Sequence, residues 1–278
     1  MKGRLLLVAT PIGNLGDLSP RATEALAGAD LIACEDTRHT RKLLTHAGIT
    51  GRPMLSVHDA NEGERVPRIL GLLAQGRQVA LVSDAGTPAI SDPGQHLVAE
   101  AITAGHEVVV IPGPSAGVAA LVASGLPTAR WVFEGFLPRS GGERTRRLAE
   151  VAAERRTIVL YEAPHRVRRT VDDLCATCGP TRRVALAREL TKMHEEVWRG
   201  TLGDASVDLA ATEPRGEFTI VLEGAPEEPP ASDEKIAAAL TERMAGGDSR
   251  RRAVEAVTAE LALPRRRVYD IALGLAGS

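Results

Sequence analysis

The sequence predicts an α/β protein, built as two α/β domains with a small helical module behind them. Three observations carry that prediction. Short β-rich apolar runs alternate with amphipathic stretches over the first 224 residues, and alternation with connections this short marks α/β architecture. At 278 residues the chain exceeds one ordinary core and suits two domains plus an appendage. The pattern then changes: "GAPEEPPASDE" has the Pro-rich, acidic composition of a linker, and only helical periodicity follows it.

The elements are justified in order. Residues 4–9 open as an apolar strand. Ser19-Pro20 is a helix start, with Ser as N-cap and Pro at the first helical position, and the amphipathic run continues over 20–27. A strand at 30–34 leads into a helix beginning near Thr37, which Glu35-Asp36 can cap. Helical patterns at 66–75 and 96–104 alternate with strands at 79–83 and 107–111, and "PGPSAG" opens the next helix. Strands at 131–134, 157–161, 183–187 and 218–222, with a helix over 144–155, complete a second block. The expected domains are therefore 1–117 and 118–224, a linker at 225–234 and a helical module at 235–278. In that module, breaks at Gly246-Gly247 and Pro264 separate three short helices in a helix-turn-helix-like rhythm.

Composition narrows the function classes. With 44% hydrophobic and 25% charged residues the chain reads as soluble and globular. A net charge of −2 does not announce a nucleic-acid partner, yet residues 139–183 hold 11 Arg against 6 Asp plus Glu, a local +5. Besides Cys34, Cys175 and Cys178 form a lone C-x-x-C without a second pair at zinc spacing, which reads as structural thiols. No leader precedes Leu5 and no apolar run approaches the roughly 18 residues of a membrane span, so a cytoplasmic location is expected.

Open α/β sheets bind ligands beyond the carboxyl ends of their strands, so the strand-to-helix turns hold the candidate site. They read "ATPIGN" after Val8, "SDAGTPAISDPG" after Val82, "IPGPSAG" after Val110, "YEAPHR" after Leu160 and "AREL" after Leu186. Gly, Pro and small polar residues let backbone approach a ligand closely. The first turn holds neither G-x-G-x-x-G nor G-x-x-x-x-G-K-[ST], the fingerprints of dinucleotides and nucleoside triphosphates. Many backbone groups and few fixed charges suit a nucleoside-containing cofactor that carries no phosphate. The twelve residues from Ser83 to Gly94 are far more than a capping Asp84 in a tight turn would need.

"ATPIGNLGDLSPRA", "EDTRHTRKLL", "SDAGTPAISDPG", "PGPSA", "EAPHR" and "ARELTKMHEEVWRG" occur in that order. Together they resemble the tetrapyrrole methylase (class III) superfamily of S-adenosylmethionine-dependent methyltransferases, and within it the branch that methylates small-subunit ribosomal RNA. The resemblance covers residues 4–224, and the helical tail is similar to that branch's C-terminal extension. It implies two α/β domains of the tetrapyrrole methylase type with an S-adenosylmethionine cleft between them, in a homodimer. It implies 2′-O-methylation of a cytidine ribose in 16S rRNA near the decoding centre, with the small ribosomal subunit as partner. On the matching positions, Pro11 and Ile12 would line the cofactor, joined by Asp84, Ala85, Gly86 and Thr87, then Ser115 and Ala116, then Tyr161 and Glu162. Ala187, Arg188 and the "GEFT" segment from Gly216 to Thr219, with Phe218 and Thr219 in it, would close the cleft from the second domain.

A ribose 2′-hydroxyl is a poor nucleophile, so a base or polarising cation should assist its attack on the methyl carbon. The sequence offers candidates without choosing among them: Glu35, Asp36, Arg38 and His39 in "CEDTRHT"; His58, Asn61 and Glu62 in "SVHDANE"; Arg188, Glu189 and Lys192 in "ARELTK". Each also has a plain reading as a cap, a surface loop or a solvated ion pair. No metal-ligand spacing stands out, and neither sulfonium chemistry nor the resemblance calls for a metal. Aromatic residues make up 3% of the chain, so RNA contact should rest on phosphates rather than stacked bases. Arg139, Arg144, Arg146, Arg147, Arg166, Arg168 and Arg169 are the expected suppliers. The cofactor turns alone would also admit a small tetrapyrrole as acceptor, or a non-catalytic assembly factor with a vestigial cleft.

Overall fold

The computed structural model describes residues 3–58, 60–226, 231–261 and 263–275. Residues Met1–Ala225 form one compact unit that contains two five-stranded sheets, and Pro226–Ser278 form another.

The first sheet is wholly parallel. Its strands are β1 (Arg4–Val8), β2 (Leu31–Cys34), β3 (Met54–Ser56), β4 (Gln78–Val82) and β5 (Glu107–Ile111), in the order β3-β2-β4-β1-β5. The central strands are continuous apolar runs, as a sheet covered on both faces requires. Helices α1 (Pro20–Gly28), α2 (Thr37–His46), α3 (Glu62–Ala74) and α4 (Gln95–Thr103) alternate with the strands, and the core divides into one layer on each face of the sheet. Ser19 caps α1 and accepts from Ala22 N–H, with Pro20 at the first position; Asp36 caps α2. Since all five strands run one way, the turns after β1, β2, β4 and β5 emerge at one edge.

The second sheet is mixed. It contains β6 (Trp131–Phe136), β7 (Thr157–Glu162), β8 (Arg183–Arg188), β9 (Glu196–Thr201) and β10 (Phe218–Leu222), in the order β6-β7-β10-β8-β9. Helix α5 (Ala116–Ser124) packs on this sheet through Ala120 and Leu121, so residue 117 falls just inside an element of the second layer. Helices α6 (Gly141–Ala153), α7 (Pro164–Cys178) and α8 (Leu202–Ala211) cover the other face, where Cys175 and Cys178 are free thiols packed against the core. Strand β10 enters antiparallel between β7 and β8, with Phe218 opposite Glu162 and Arg188. Its amino end therefore lies beside the carboxyl ends of both neighbours.

Two strands depart from the sequence expectation. Strand β3 is only three residues long and follows Pro53, too short to show a period. Strand β9 is a sheet edge whose Glu196 and Arg199 are exposed, so it reads as a solvated charged face.

A polar network ties α6 and α7 to the second sheet. Arg144 is buried; its guanidinium donates to Asp173 Oδ2 (2.8 Å), Pro138 C=O (2.8 Å) and Thr170 Oγ1 (3.0 Å). Thr170 in turn donates to Glu162 Oε2 (2.6 Å), and Arg166 pairs with Glu162 Oε1 (3.2 Å) while donating to Leu137 C=O. The assignment of Arg144 and Arg166 to RNA phosphates is thereby corrected. Arg144 shares the inward stripe of Leu148 and Val151, and Arg166 is committed to a buried carboxylate.

The described residues of the second unit form α9 (Asp233–Ala245), α10 (Arg250–Glu260) and α11 (Arg265–Gly274) around Ile236, Leu240, Val254, Val257 and Val268. Ser232 and Ser249 cap the first two helices. The breaks fall at Gly246-Gly247 and Pro264, and the first helix begins two residues ahead of the expected Lys235.

Removing one partner of a buried charge network leaves the others uncompensated, which typically costs about 3–5 kcal/mol. Asp173 is a third exposed, so Arg144→Ala is expected to lower unfolding stability by about 3 kcal/mol, read as a shifted denaturant midpoint. Arg139→Ala, on an exposed residue of the same segment, should leave the midpoint unchanged.

Candidate active site

The site is organised by a backbone bridge between the first turn and the turn after β4. Thr10 N–H donates to Gly86 C=O (2.8 Å) and Gly86 N–H donates to Thr10 C=O (3.1 Å). Gly86 takes φ +78°, which favours glycine, and an added Cβ would meet Ile12 at 3.3 Å and Pro114 O at 3.6 Å. Two further ties reach the second sheet: Gly117 N–H donates to Tyr161 Oη (3.1 Å) and Asn14 N–H to Thr191 Oγ1 (3.0 Å).

Between these turns lies a cavity of about 450 Å³, within the range of small-molecule sites. Ile12, Ala85, Gly86, Thr87, Ser115, Ala116, Tyr161, Glu162, Ala187, Phe218 and Thr219 line it. Pro11, Asp84 and Arg188 are not among its lining: Pro11 is buried, Arg188 pairs with Glu196 (2.8 Å), and Asp84 faces helix α2. Glu217 of the expected "GEFT" segment lines it too, and so do residues that sequence reasoning passed over: Ile90, Ser91, Asp92, Phe136, Ala163, Pro164, His165 and Leu190. Three of these sit inside "SDAGTPAISDPG", so the signal was present. Phe136 comes from a strand end beyond the β6 bulge and had none.

The donor set is chiefly backbone, hydroxyl and apolar groups, with no Lys or Arg among the described lining residues. A phosphate would lack a counter-charge here, whereas a nucleoside joined to an amino acid through a sulfonium fits. Asp92 is pushed up to about 6, mainly by burial, with the nearby charges of Glu35 and Asp84 adding to it against a hydrogen bond from Ser83.

The catalytic candidates fall into separate groups. Asp36, Arg38, His39 and Asp84 come together: Asp84 accepts Asp36 N–H (3.2 Å) and contacts His39 Nδ1 (2.9 Å), while Arg38 chelates the Asp36 carboxylate (2.7 Å). Arg38 holds the Asp36 carboxyl far below the ordinary range. Ligand-type atoms of Asp36, His39 and Asp84 lie within 4.8 Å of one another, a juxtaposition across sheet strands that linear spacing could not reveal. Glu35 follows β2 and its carbonyl accepts Ser56 Oγ–H (3.1 Å).

His58 and Asn61 close a local turn instead. Asn61 Oδ1 accepts His58 N–H (2.9 Å) and its Nδ2 contacts His58 Nε2 (2.9 Å). The nearby Glu62 accepts Leu97 N–H (3.1 Å). Lys192 is neutralised by Glu189 and Glu217, both at 2.9 Å. Burial alone would lower its pKa, but these two partners hold it above the ordinary lysine value. Glu189 (φ 51°) and Thr191 (φ 66°) adopt left-handed backbone in this turn.

Of the expected RNA contacts outside the buried network, Arg139, Arg146, Arg147, Arg168 and Arg169 are exposed. Arg147 is shared by Glu134 (2.8 Å) and Glu150 (2.9 Å), whereas Arg146 and Arg169 approach their acidic partners only to 3.8 Å.

Fold and cleft together define an α/β protein of two five-stranded sheets with a small-molecule cleft beside the carboxyl ends of the first sheet. The model of the tetrapyrrole (corrin/porphyrin) methylases matches residues 4–206, and the chain belongs to that family. It is 51% identical to ribosomal RNA small subunit methyltransferase I of Synechocystis sp. over 98% of each chain. It is 46% identical to the protein of the same name from Xylella fastidiosa, over 96% of this chain and 98% of that one. Among solved structures, uroporphyrin-III C-methyltransferase of Thermus thermophilus, complexed with S-adenosylhomocysteine, superposes with a TM-score of 0.56. That match has 21% identity and covers 80% of this chain and 97% of that one. A cobalt-precorrin-4 methyltransferase gives a TM-score of 0.61 at 17% identity, covering 79% and 94%.

Gly86→Val puts a branched side chain at φ +78° against Ile12 and the Pro114 carbonyl. Calorimetry is expected to show at least about a tenfold loss of S-adenosylhomocysteine affinity, or about 1.4 kcal/mol. An unchanged dissociation constant would remove this turn from the site.

Proposed function

We propose that this protein transfers a methyl group from S-adenosylmethionine to the ribose 2′-hydroxyl of a cytidine in 16S rRNA, near the decoding centre, in the cytoplasm. At the coarser level the chain is an S-adenosylmethionine-dependent methyltransferase of small-subunit ribosomal RNA. The observation that carries the reading is near-full-length similarity to relatives of that name, joined to a cleft built from the turns that distinguish the sequence.

Bound in the cleft, S-adenosylmethionine supplies an electrophilic methyl carbon on a positively charged sulfur. The protein's own part is positioning and proton management. Ile12, Gly86, Ser115 and Thr219 would hold the nucleoside by backbone and small side chains, and Tyr161, fixed by Gly117 N–H, would brace it. Holding nucleophile and methyl carbon in line can supply roughly 7–11 kcal/mol of the barrier. The Asp36–Arg38–His39–Asp84 group, whose Arg38 and His39 are exposed, would meet the RNA beside the cleft. Arg139, Arg146 and Arg168 would take phosphates, since α6 and α7 pack side by side and present exposed Arg from both.

Isolated small subunits lacking the modification, incubated with methyl-labelled S-adenosylmethionine, are expected to yield 2′-O-methylcytidine on nuclease digestion and mass spectrometry. Label in a porphyrinoid, or on a base, would overturn the reading. Replacing Arg139, Arg146 and Arg168 together by Ala should reduce the salt slope of RNA binding by about 0.7–0.9 per lost contact and leave cofactor affinity unchanged.

We also infer a homodimer formed through α5. This helix is apolar all round: one side is buried on the second sheet, yet Val118 (48%) and Val122 (71%) stand exposed on the other. A helix apolar on every side is normally covered, and a second copy of the chain is the expected partner. Val122→Asp should convert a dimer to a monomer in sedimentation; an unaltered wild-type monomer would dismiss the interface.

A further inference from the structure

We propose that Phe136 is the stacking platform for the nucleobase of the acceptor nucleotide, extruded from the RNA into the mouth of the cleft. The inference rests on the ribose-hydroxyl reading above and deepens it.

The strand that carries Phe136 is shaped to aim it. Where β6 pairs with β7, Phe133 stands opposite Val159, Gly135 opposite Leu160 and Phe136 opposite Tyr161, which leaves Glu134 as an extra residue. Side chains alternate along a strand, so without that extra residue Phe133 and Phe136 would fall on opposite faces of the sheet. With it, both lie on the face of Val159 and Tyr161. Their rings meet the Tyr161 ring edge to face, with centroids 4.9 and 5.8 Å away. Gly135 takes φ +62° in the bulge, and an added Cβ there would stand 3.1 Å from Ser91 Oγ of the turn after β4. Bulges are rare in parallel pairing, and they recur beside active sites because they re-aim a side chain.

Phe136 is also the aromatic of the cleft that no structural duty occupies. Three aromatic residues are among its described lining. Phe218 is buried, and Tyr161 is held by the Gly117 N–H and by Phe133. Phe136 is 50% exposed, and Ile90, in the turn after β4, is left open to a similar degree at 47%. The opening of the cavity thus presents apolar surface from both sheets.

The deeper lining, including Ile12, Ala187 and Phe218, is buried and suits a cofactor that enters alone. An RNA strand cannot follow it there. Only a nucleotide swung out of its stack can bring a 2′-hydroxyl to the methyl carbon. The base is joined to the carbon next to the one bearing that hydroxyl, so it comes to rest at the mouth. Splayed RNA bases are ordinarily held by stacking on an aromatic side chain. A chain with 3% aromatic residues therefore places an open phenyl ring where a single base must be held, and leaves the rest of the RNA to phosphate contacts.

The test uses full-length protein and isolated small subunits lacking the modification. In Phe136→Ala, kcat/KM for subunits should fall by about 5–150-fold, the usual cost of removing one base–aromatic stack. Affinities for S-adenosylmethionine and S-adenosylhomocysteine should stay within about threefold of wild type. Phe136→Leu keeps apolar bulk without a π face and should lose most of the same factor, whereas Phe136→Tyr should stay within about threefold of wild type. Independently of turnover, p-benzoylphenylalanine in place of Phe136, irradiated with subunits and S-adenosylhomocysteine, should cross-link to the nucleotide that product mapping identifies as methylated. Near-normal kcat/KM in Phe136→Ala would overturn the proposal, as would Leu substituting better than Tyr, the mark of a packing role. So would a parallel loss of cofactor affinity, which would make Phe136 part of the cofactor site. The absence of a cross-link to the methylated nucleotide would overturn it too. A methylated base or porphyrinoid as the wild-type product would instead fail the reading on which it rests, and product analysis separates the two.

Discussion

The cleft depends on the pair of backbone hydrogen bonds joining Thr10 to Gly86. They fasten the turn after the first strand to the turn after the fourth, at the edge where a parallel sheet delivers the carboxyl ends of its strands. Gly86 suits that bridge because φ +78° favours glycine and a Cβ there would stand 3.3 Å from Ile12. Beside it, Ala85 and Thr87 line the cleft, and Ala89, Ser91 and Gly94 follow with positive φ. The bridge therefore joins local backbone preference to the shape of the site.

The second sheet meets this edge by a different device. Because β10 enters antiparallel between β7 and β8, its first residues lie level with the ends of both neighbours, and Phe218 and Thr219 reach the cleft beside Tyr161 and Ala187. The chain of contacts from Asp173 through Arg144, Thr170 and Glu162 to Arg166 holds the start of α7 against that end of the sheet. Each charge in it is satisfied by the next, which is the condition for burying any of them. These arginines brace the wall of the site, while other arginines on the same helices stay exposed.

Electrostatics divides the carboxylates of the cleft by their neighbours. Glu162 lies beside a guanidinium and Glu217 beside an ammonium, whereas Asp92 is surrounded by Glu35 and Asp84. One chemical group thus stands as a buried anchor or as a rim charge according to what packs around it.

The sequence by itself determined the α/β alternation, most of its strands and helices, and the turns that border the cleft, because periodicity, caps and glycine-rich turns are local properties of the chain. Ser19-Pro20, "SDAGTPAISDPG" and the breaks at Gly246-Gly247 and Pro264 are legible for that reason. Even the inward face of Arg144 was there to be read, in its spacing from Leu148 and Val151, but a charge on that stripe argued for solvent. The tertiary structure alone decided which arginines are buried, that Asp36, His39 and Asp84 converge, and that burial lifts the Asp92 carboxyl. Those outcomes depend on burial and on partners dozens of residues away, and no local pattern encodes either.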